Sequence, residues 1–469
     1  MSLIGTNDTI VAISTPVGEA GIGIVRISGQ EALEIADRIF LAKENKLPSS
    51  FKAYTTHYGW IIKTTKKDRS SGDGIVDEVL LTVMRAPRSY TKEDIVEINC
   101  HGGIIALRAV LDLTLDSGAR LAEPGEFTRR AFLSGRIDLA QAEAVLDIIR
   151  AKTDSALKIG AEQLKGALSR EIRRVRKLLL ETLSILEANI NFPEEEIGRI
   201  DSGSISQQLS IAGQQISVLL DGAKKGMLLR EGIHVVICGK PNAGKSSLLN
   251  ALLRQERSIV TPICGTTRDT IEEIIDINGI PVRIVDTAGI IEPQDLIEKK
   301  AIERTTKQIK LADLVILLFD GSRKLDNGDR LLIRRLKKKK VIAVINKIDL
   351  TQRIEEEKIL KAYPAVVKIC AKKSRNLKLL EDAISLFVYG GKVGGISSSV
   401  IVTSARHVQA LKGAQKNIAE ALDSLDNKLS PEFIAQDLKE AVGHLDDLSG
   451  GNSSEDLLNR IFSEFCIGK

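Results

Sequence analysis

One stretch constrains this 469-residue chain more than any other. Val235-Val236-Ile237-Cys238 is a short apolar run rich in β-branched residues. It passes directly into Gly239-Lys240-Pro241-Asn242-Ala243-Gly244-Lys245-Ser246, and Ser247-Leu248-Leu249-Asn250-Ala251-Leu252 follows with helical character. Strand, G-x-x-x-x-G-K-S, helix is the layout of a phosphate-binding loop. Its glycines let backbone N–H groups close around phosphates, Lys245 reaches the β- and γ-phosphate oxygens, and Ser246 ligates magnesium. A chance glycine-rich turn has no reason to sit between a buried strand and a helix. The sequence therefore predicts a P-loop α/β domain.

Three further motifs follow in order. Ile271 to Ile277, the turn Asn278-Gly279 and Pro281 to Val285 read as a β-hairpin of the type Asn-Gly favours. Its second strand runs into Asp286-Thr287-Ala288-Gly289, where Asp286 is expected to hold magnesium through water and Gly289 to sense a γ-phosphate. Between the P-loop helix and the hairpin lies the polar stretch Thr261 to Thr270, in which a threonine hydroxyl can complete the magnesium shell. Last, Val341 to Ile345 leads into Asn346-Lys347-Ile348-Asp349. A carboxylate at 349 accepts guanine N1–H and N2–H together, a pair adenine does not offer, while Asn346 and Lys347 shape the pocket.

Together these motifs predict a GTP hydrolase. The expected nucleotide contacts are Asn242, Ala243, Gly244, Lys245, Ser246 and Ser247 in the first loop, then Thr261, Pro262, Ile263, Cys264, Gly265, Thr266 and Thr267 in the second. Asp286, Thr287, Ala288 and Gly289 follow, with Asn346, Lys347 and Asp349 around the base. Ras-like enzymes orient water with a glutamine just after D-x-x-G. Here that neighbourhood is Ile290-Ile291, so another group must position water and another charge must serve the transition state. Asn242, with backbone carbonyls from Thr261 to Thr266, is suited to hold a monovalent cation there, although loop geometry alone also explains an asparagine. Glu298, nine residues past Gly289, is the candidate to polarise water, against the plainer reading of a solvated glutamate.

The rest of the chain has a different texture. Residues 1–124 read as mixed α/β, with short strands at Ile22 to Ile27, Glu78 to Val83 and Ile95 to Asn99. Residues 125–232 read as long amphipathic helices, such as Leu139 to Ile149 and Leu164 to Ile190, and 393–469 as their continuation. The nucleotide domain, 233–392, is then an insertion into a helical domain, closed by the glycine- and serine-rich Gly390 to Ser399. Aromatic residues are only 3% of the chain, so its cores must rest on aliphatic side chains. Net charge is +5, which demands neither a membrane nor a polyanion, and the run Lys337 to Lys340 reads as a solvated helix end that suits the dipole. Five cysteines without a C-x-x-C pair argue against a zinc site or a disulfide framework and fit a reducing, cytoplasmic setting. No apolar run is long enough to span a bilayer, the first residues lack a signal-peptide pattern, and Gly468 and Lys469 do not fit a prenylation box around Cys466.

With the flanking segments added, the chain closely resembles the tRNA-modification GTPase family MnmE, also called TrmE. The residues that carry the likeness are Asp8 to Ala12, Gly21 to Gly29, His101-Gly102-Gly103, Pro124 to Phe132, Asp138 to Ala144 and the terminal Phe465-Cys466-Ile467-Gly468-Lys469. The resemblance implies a homodimer that works with the flavin-dependent protein MnmG (GidA), in a heterotetramer or larger complex. Together they add an aminomethyl or carboxymethylaminomethyl group at C5 of the wobble uridine of certain tRNAs, from a tetrahydrofolate one-carbon unit. It implies potassium-dependent hydrolysis accompanied by G-domain dimerisation. Potassium contacts fall on Asn242, Thr261, Ile263 and Thr266, magnesium contacts on Ser246 and Thr267, and the catalytic glutamate on Glu298. The family's guanine loop falls on Cys370-Ala371-Lys372, where relatives usually have Ser-Ala, and its backbone N–H to guanine O6 is expected to survive that change. A 5-formyl-tetrahydrofolate site falls on Arg26, Glu97, Arg136 and Lys469, with Cys466 a thiol of the C-terminal active region. Without the family, Glu97 reads as a strand-edge residue and Arg26 as a solvated one. Three rivals stand beside this: a ribosome-assembly GTPase of Era or Der type, a folate-binding one-carbon transferase whose nucleotide domain only regulates, and a purely structural switch.

Overall fold

A computed structural model describes residues 8–63, 74–191, 201–255, 272–286, 306–389 and 400–469. The chain divides into two compact units, Met1–Leu146 with Asp446–Lys469, and Asp147–Leu445.

The first unit is built on a seven-stranded sheet. Its strands are β1 (Ile10–Ile13), β2 (Gly23–Ser28), β3 (Phe40–Ala42), β4 (Thr55–Ile62), β5 (Ile75–Met84), β6 (Ile95–Cys100) and β7 (Arg120–Leu121). Their order is β3-β4-β5-β6-β2-β1-β7, antiparallel except for the β1–β7 pair. Alternation along a strand sends neighbouring side chains to opposite faces. Val11 therefore joins a core with Val25, Ile27 and Ile98, which helices α1 (Ala32–Ile39) and α2 (Ile104–Asp116) complete through Ile35 and Leu107. Its neighbours Ile10 and Ala12 pack instead with Phe127 of α3 (Glu126–Leu133). Beside α3 runs a third cluster, in which Ala131 and Leu139 meet Leu458, Phe462 and Phe465 from the end of the chain. The sheet is thus covered on one face by α1 and α2 and on the other by α3.

In the second unit, a six-stranded sheet has the order β13-β12-β11-β8-β10-β9. Here β8 is Ile233–Gly239, β9 Glu272–Ile277, β10 Ile280–Asp286, β11 Leu314–Asp320, β12 Val341–Asn346 and β13 Val366–Lys368. All pairs are parallel apart from the β9–β10 hairpin. The central strands are apolar without alternation because both faces are buried: Val235 and Ile237 enter one core, Val236 and Cys238 the other. The hairpin turn has Asn278 at φ 53° and Gly279 at φ 82°, the paired left-handed residues that a two-residue turn of this class requires.

Helices flank this sheet in the chain. Before it come α4 (Leu139–Arg150), α5 (Asp154–Leu164), α6 (Ala167–Asn191), α7 (Ser202–Asp221) and α8 (Ala223–Glu231). Within and after it come α9 (Lys245–Gln255), α10 (Asn327–Leu336), α11 (Glu356–Ala362), α12 (Leu377–Tyr389), α13 (Ala405–Asp426), α14 (Pro431–Ser449) and α15 (Glu455–Ser463). The helix expected over Leu164 to Ile190 is in fact broken before Ala167. Gly166 takes φ 80° between α5 and α6, a conformation that ends a helix. The sheet's core also takes in Ile159 of α5 and Leu229 of α8. The hairpin turn is tied down as well: Thr153 caps α5 by accepting from Ala156 N (3.1 Å), and its hydroxyl donates to Gly279 O (3.1 Å). On the other side Asn278 Nδ2 donates to Ser385 Oγ (2.7 Å).

Candidate functional sites

In the parallel sheet the loops that follow the strands gather along one edge, and the nucleotide motifs are on those loops. The loop after β8 turns left-handed at Asn242 (φ 61°) and Gly244 (φ 100°) before α9 begins at Lys245. Lys245 is buried, and its ammonium donates to the carbonyls of Gly239 and Lys240, both at 3.1 Å. Ala243 is buried, whereas Ser246 and Ser247 are exposed on the first turn of α9, where N–H groups and the helix dipole favour an anion.

Asn346, at the end of β12, holds three loops together. Its Nδ2 donates to Ala243 O (2.9 Å) and its Oδ1 accepts from Ala371 N (3.0 Å), with all three residues buried. The P-loop, the Asn346–Asp349 motif and the Cys370–Lys372 loop thus share one side chain. Gly244 must be glycine for the same reason, since a Cβ there would lie 2.3 Å from Asn346 Nδ2. Lys347 (φ 64°) donates to Asp320 Oδ2 at 2.6 Å, a partner on β11 that sequence reasoning did not find. Asp349 lies 3.3 Å from Lys373 Nζ, and its carboxyl is held below the ordinary range first by the Cys370 thiol and then by Lys373. A carboxylate kept ionised is what acceptance of two guanine N–H groups needs. Lys372 is exposed.

Thr261, Pro262, Ile263, Cys264, Gly265, Thr266, Thr267, Thr287, Ala288, Gly289 and Glu298 lie outside the described residues. Asp286 ends β10, its backbone in register with Ile237. Among the described residues no cluster of His, Cys, Asp and Glu has the makings of a metal centre, and no helix is long and apolar enough to cross a membrane.

A second constellation lies in the first unit. Arg26 and Glu97 are cross-strand partners on β2 and β6, and Arg26 Nε donates to Glu97 Oε1 at 2.8 Å. Both strands are interior to the sheet, and the two side chains are 17% and 19% exposed, so neither is the edge or solvated residue that the sequence alone suggests. The chain's end returns to them. Gly468 O accepts from Arg26 Nη1 (3.3 Å) and Ser14 Oγ (3.2 Å), and Gly125 N donates to Cys466 O (3.4 Å). Gly468 has φ 95°, and a Cβ there would lie 2.4 Å from Ile13 O. Lys469 is half-buried; burial and then Arg26 hold its ammonium below the usual lysine range, against the pull of Glu97 and Cys466.

Arg26 also stands over the Phe127 ring (5.7 Å), and Arg136 over Tyr90 (4.8 Å). Tyr90 bonds Thr128 Oγ1 through its hydroxyl (3.0 Å) and feels the charge of both Arg136 and Arg26. Arg26, Glu97, Arg136 and Lys469 are therefore neighbours of one another or of Tyr90, which sequence reasoning missed. Cys466 is exposed next to Lys469. Beneath them, Glu126 accepts from Arg120 (2.7 Å) and Arg130 (2.9 Å), and Arg130 reaches Asp8 (2.6 Å) and Glu93 (3.0 Å). Burial resists ionisation of Glu126, but Arg120, the Glu123 N–H and Arg130 outweigh it and keep the carboxyl below its usual range. This ion network fixes α3, and with it Phe127.

Comparison with known proteins covers the whole chain. The family model described as GTP-binding protein TrmE N-terminus matches residues 9–136, and the MnmE helical domain model matches residues 139–466. A protein named tRNA modification GTPase MnmE from Clostridioides difficile (strain 630) is 46% identical over 465 residues, 99% of each chain. Its namesake from Alkaliphilus oremlandii (strain OhILAs) is 44% identical over 468 residues, again 99% of each. Among solved structures, a point variant of Aquifex aeolicus Era bound to GDP.AlF4- is 29% identical with a TM-score of 0.28, covering 39% of this chain and 66% of that one.

Proposed function

This chain belongs to the tRNA modification GTPase MnmE family, and from that premise we propose that it is a potassium-dependent GTP hydrolase that modifies C5 of the wobble uridine of certain tRNAs. The match over 99% of the chain carries this reading, and it disfavours the Era- and Der-type rivals. In the proposed reaction the chain acts as a homodimer with the flavin-dependent partner MnmG, and a tetrahydrofolate one-carbon unit supplies the carbon of the aminomethyl-type group.

Residues 233–392 form the nucleotide domain in this reading. Lys245 and the backbone of the loop through Ser247 bind the phosphates, and Asp349 with Asn346 and the Cys370–Lys372 loop select guanine. Ser246 and Thr267 would hold magnesium, and Asn242, Thr261, Ile263 and Thr266 potassium. These cations supply positive charge against the phosphates when bound. Glu298 polarises the attacking water. Of these cation ligands Asn242 and Ser246 are described, and both are exposed, on the P-loop and on the first turn of α9.

The second site fits a folate. Glu97 offers a carboxylate to paired pterin N–H groups, while Arg26, Arg136 and Lys469 offer cations to carboxylates. Gly468 O bonds Arg26, which supports a role for Lys469 and Cys466 there. The test is nucleoside analysis of tRNA incubated with this protein, the flavoprotein, 5-formyl-tetrahydrofolate or a related donor, and GTP. A new C5 modification that disappears in Glu298→Ala is expected. Modification that persists without GTP turnover would favour the one-carbon transferase with a merely regulatory nucleotide domain.

A further inference from the structure

We propose that the edge of the P-loop sheet opposite the nucleotide loops is a docking surface for the phosphate backbone of RNA, an inference that rests on the reading above that tRNA is the substrate. Residues 330–340 contain seven lysines and arginines and no aspartate or glutamate, in a chain whose whole net charge is +5. The preceding aspartates, Asp326 and Asp329, sit at the start of α10 and do not neutralise the cluster. Asp326 caps α10 by accepting from Asp329 N (3.2 Å) and contacts Lys240, while Asp329 accepts from Asp326 N (3.1 Å). Two of the lysines are also occupied, since Lys339 donates to Lys310 O (2.8 Å) and Lys340 sits 4.8 Å over the Phe387 ring.

Arg334, Arg335, Lys337 and Lys338 are different. All four are exposed, and among the described residues none has a carboxylate partner. The bond from Lys339 to Lys310 brings the helical turn 306–311 alongside, which adds exposed Lys307 and Lys310. A helix C-terminus carries the equivalent of about half a negative charge and is met by one or two cations in its last turn. Arg334 and Arg335 suffice for that. Lys307, Lys310, Lys337 and Lys338 are left as mutually repelling charge, which a polyanion relieves.

Topology separates this patch from the nucleotide. Lys340 O accepts from Val315 N (3.0 Å), at the start of the parallel strands β11 and β12, whereas Asn346 stands at the far end of β12. A six-residue strand is about 20 Å long. The chain is poor in aromatic residues, and the patch is made of Lys and Arg, so contact is with phosphates rather than with stacked bases. The occupant is RNA backbone, bound without regard to sequence, which leaves base recognition to the reacting site.

The test is equilibrium binding of fluorescently labelled total tRNA to the full-length protein across a salt series. It compares wild type with Arg334→Gln/Arg335→Gln/Lys337→Gln/Lys338→Gln and, on the neighbouring turn, with Lys307→Gln/Lys310→Gln. Each lost phosphate contact flattens the log–log salt slope by about 0.7 to 0.9, so the quadruple variant should lose about 3 from the slope and at least about tenfold in affinity at low salt. GTP hydrolysis without tRNA should be unchanged, which also reports that the variant is folded. Equal affinity and slope in both variants would overturn the docking surface while leaving the proposed function intact. A variant that keeps tRNA affinity but loses the flavoprotein would overturn it in favour of an acidic protein partner. If wild type itself binds no tRNA at any salt, the reading of tRNA as substrate fails first, and this inference with it.

Discussion

Removing the Asn346 side chain is the perturbation that asks most of this structure. Asn346→Ala would delete the donor to Ala243 O and the acceptor from Ala371 N, both inside a site where Asn346 is 3% exposed. Each backbone group left unpaired in such a place costs about 1–3 kcal/mol. The two together cost about 2–6 kcal/mol, shared between the folding of this sheet and the set of the loops. Even if only about 3 kcal/mol reaches the nucleotide, affinity falls on the order of a hundredfold. Asn346→Asp separates the two bonds, because it keeps an acceptor for Ala371 N but sets an oxygen against Ala243 O. It should be no better than Asn346→Ala. Titration with a fluorescent GTP analogue reads the affinity, and thermal denaturation reads the folding share. Affinity within about threefold of wild type together with an unchanged Tm would refute the idea that one side chain unites the three loops.

Four other outcomes are expected. Asp349→Asn should weaken GTP binding on the order of a hundredfold in a titration, through lost paired acceptance, and retained GTP affinity would remove Asp349 from the base pocket. Arg26→Ala should weaken 5-formyl-tetrahydrofolate at least about tenfold by calorimetry, because it removes a cation and leaves Glu97 unpaired; unchanged binding would place the folate elsewhere. Glu126→Gln should destabilise the first unit by roughly 3 kcal/mol at neutral pH. Its folded-state carboxyl is held below the ordinary value, so its contribution is complete above the usual glutamate range and is lost as pH falls through the lowered folded-state value. Denaturant midpoints for wild type and Glu126→Gln should then converge on acidification, and a constant gap would contradict this. Gly279→Ala should lower Tm by several degrees, since its Cβ would lie 2.2 Å from Ser155 Oγ at φ 82°; a neutral result would mean the turn is not clasped.

How much of this was legible beforehand follows from how local each determinant is. The P-loop and the Asn278-Gly279 turn are short motifs with their own backbone demands, and the structure realises both, with Asn242, Gly244, Asn278 and Gly279 all left-handed. Strand β8 was readable because burial on both faces leaves no alternation. Long-range pairing was not readable from local pattern, and only the family resemblance put Arg26, Glu97, Arg136 and Lys469 in one site. Arg26 meets Glu97 across 71 positions, and Gly468 meets Arg26 across 442, so no window of sequence holds both partners. The partners of Lys347 and Asp349 were missed for a related reason: Asp320 comes from the neighbouring strand β11, and Lys373 from the turn after β13. The helix break at Gly166 was hidden because apolar spacing runs through it on both sides.

Steady-state GTP hydrolysis in potassium and in sodium, at equal ionic strength, tests the central claim most directly. The account predicts a large gain in rate in potassium that Asn242→Ala abolishes while GTP still binds. Equal rates in the two salts would contradict it, and would move the missing positive charge from a bound cation to a residue supplied by a partner.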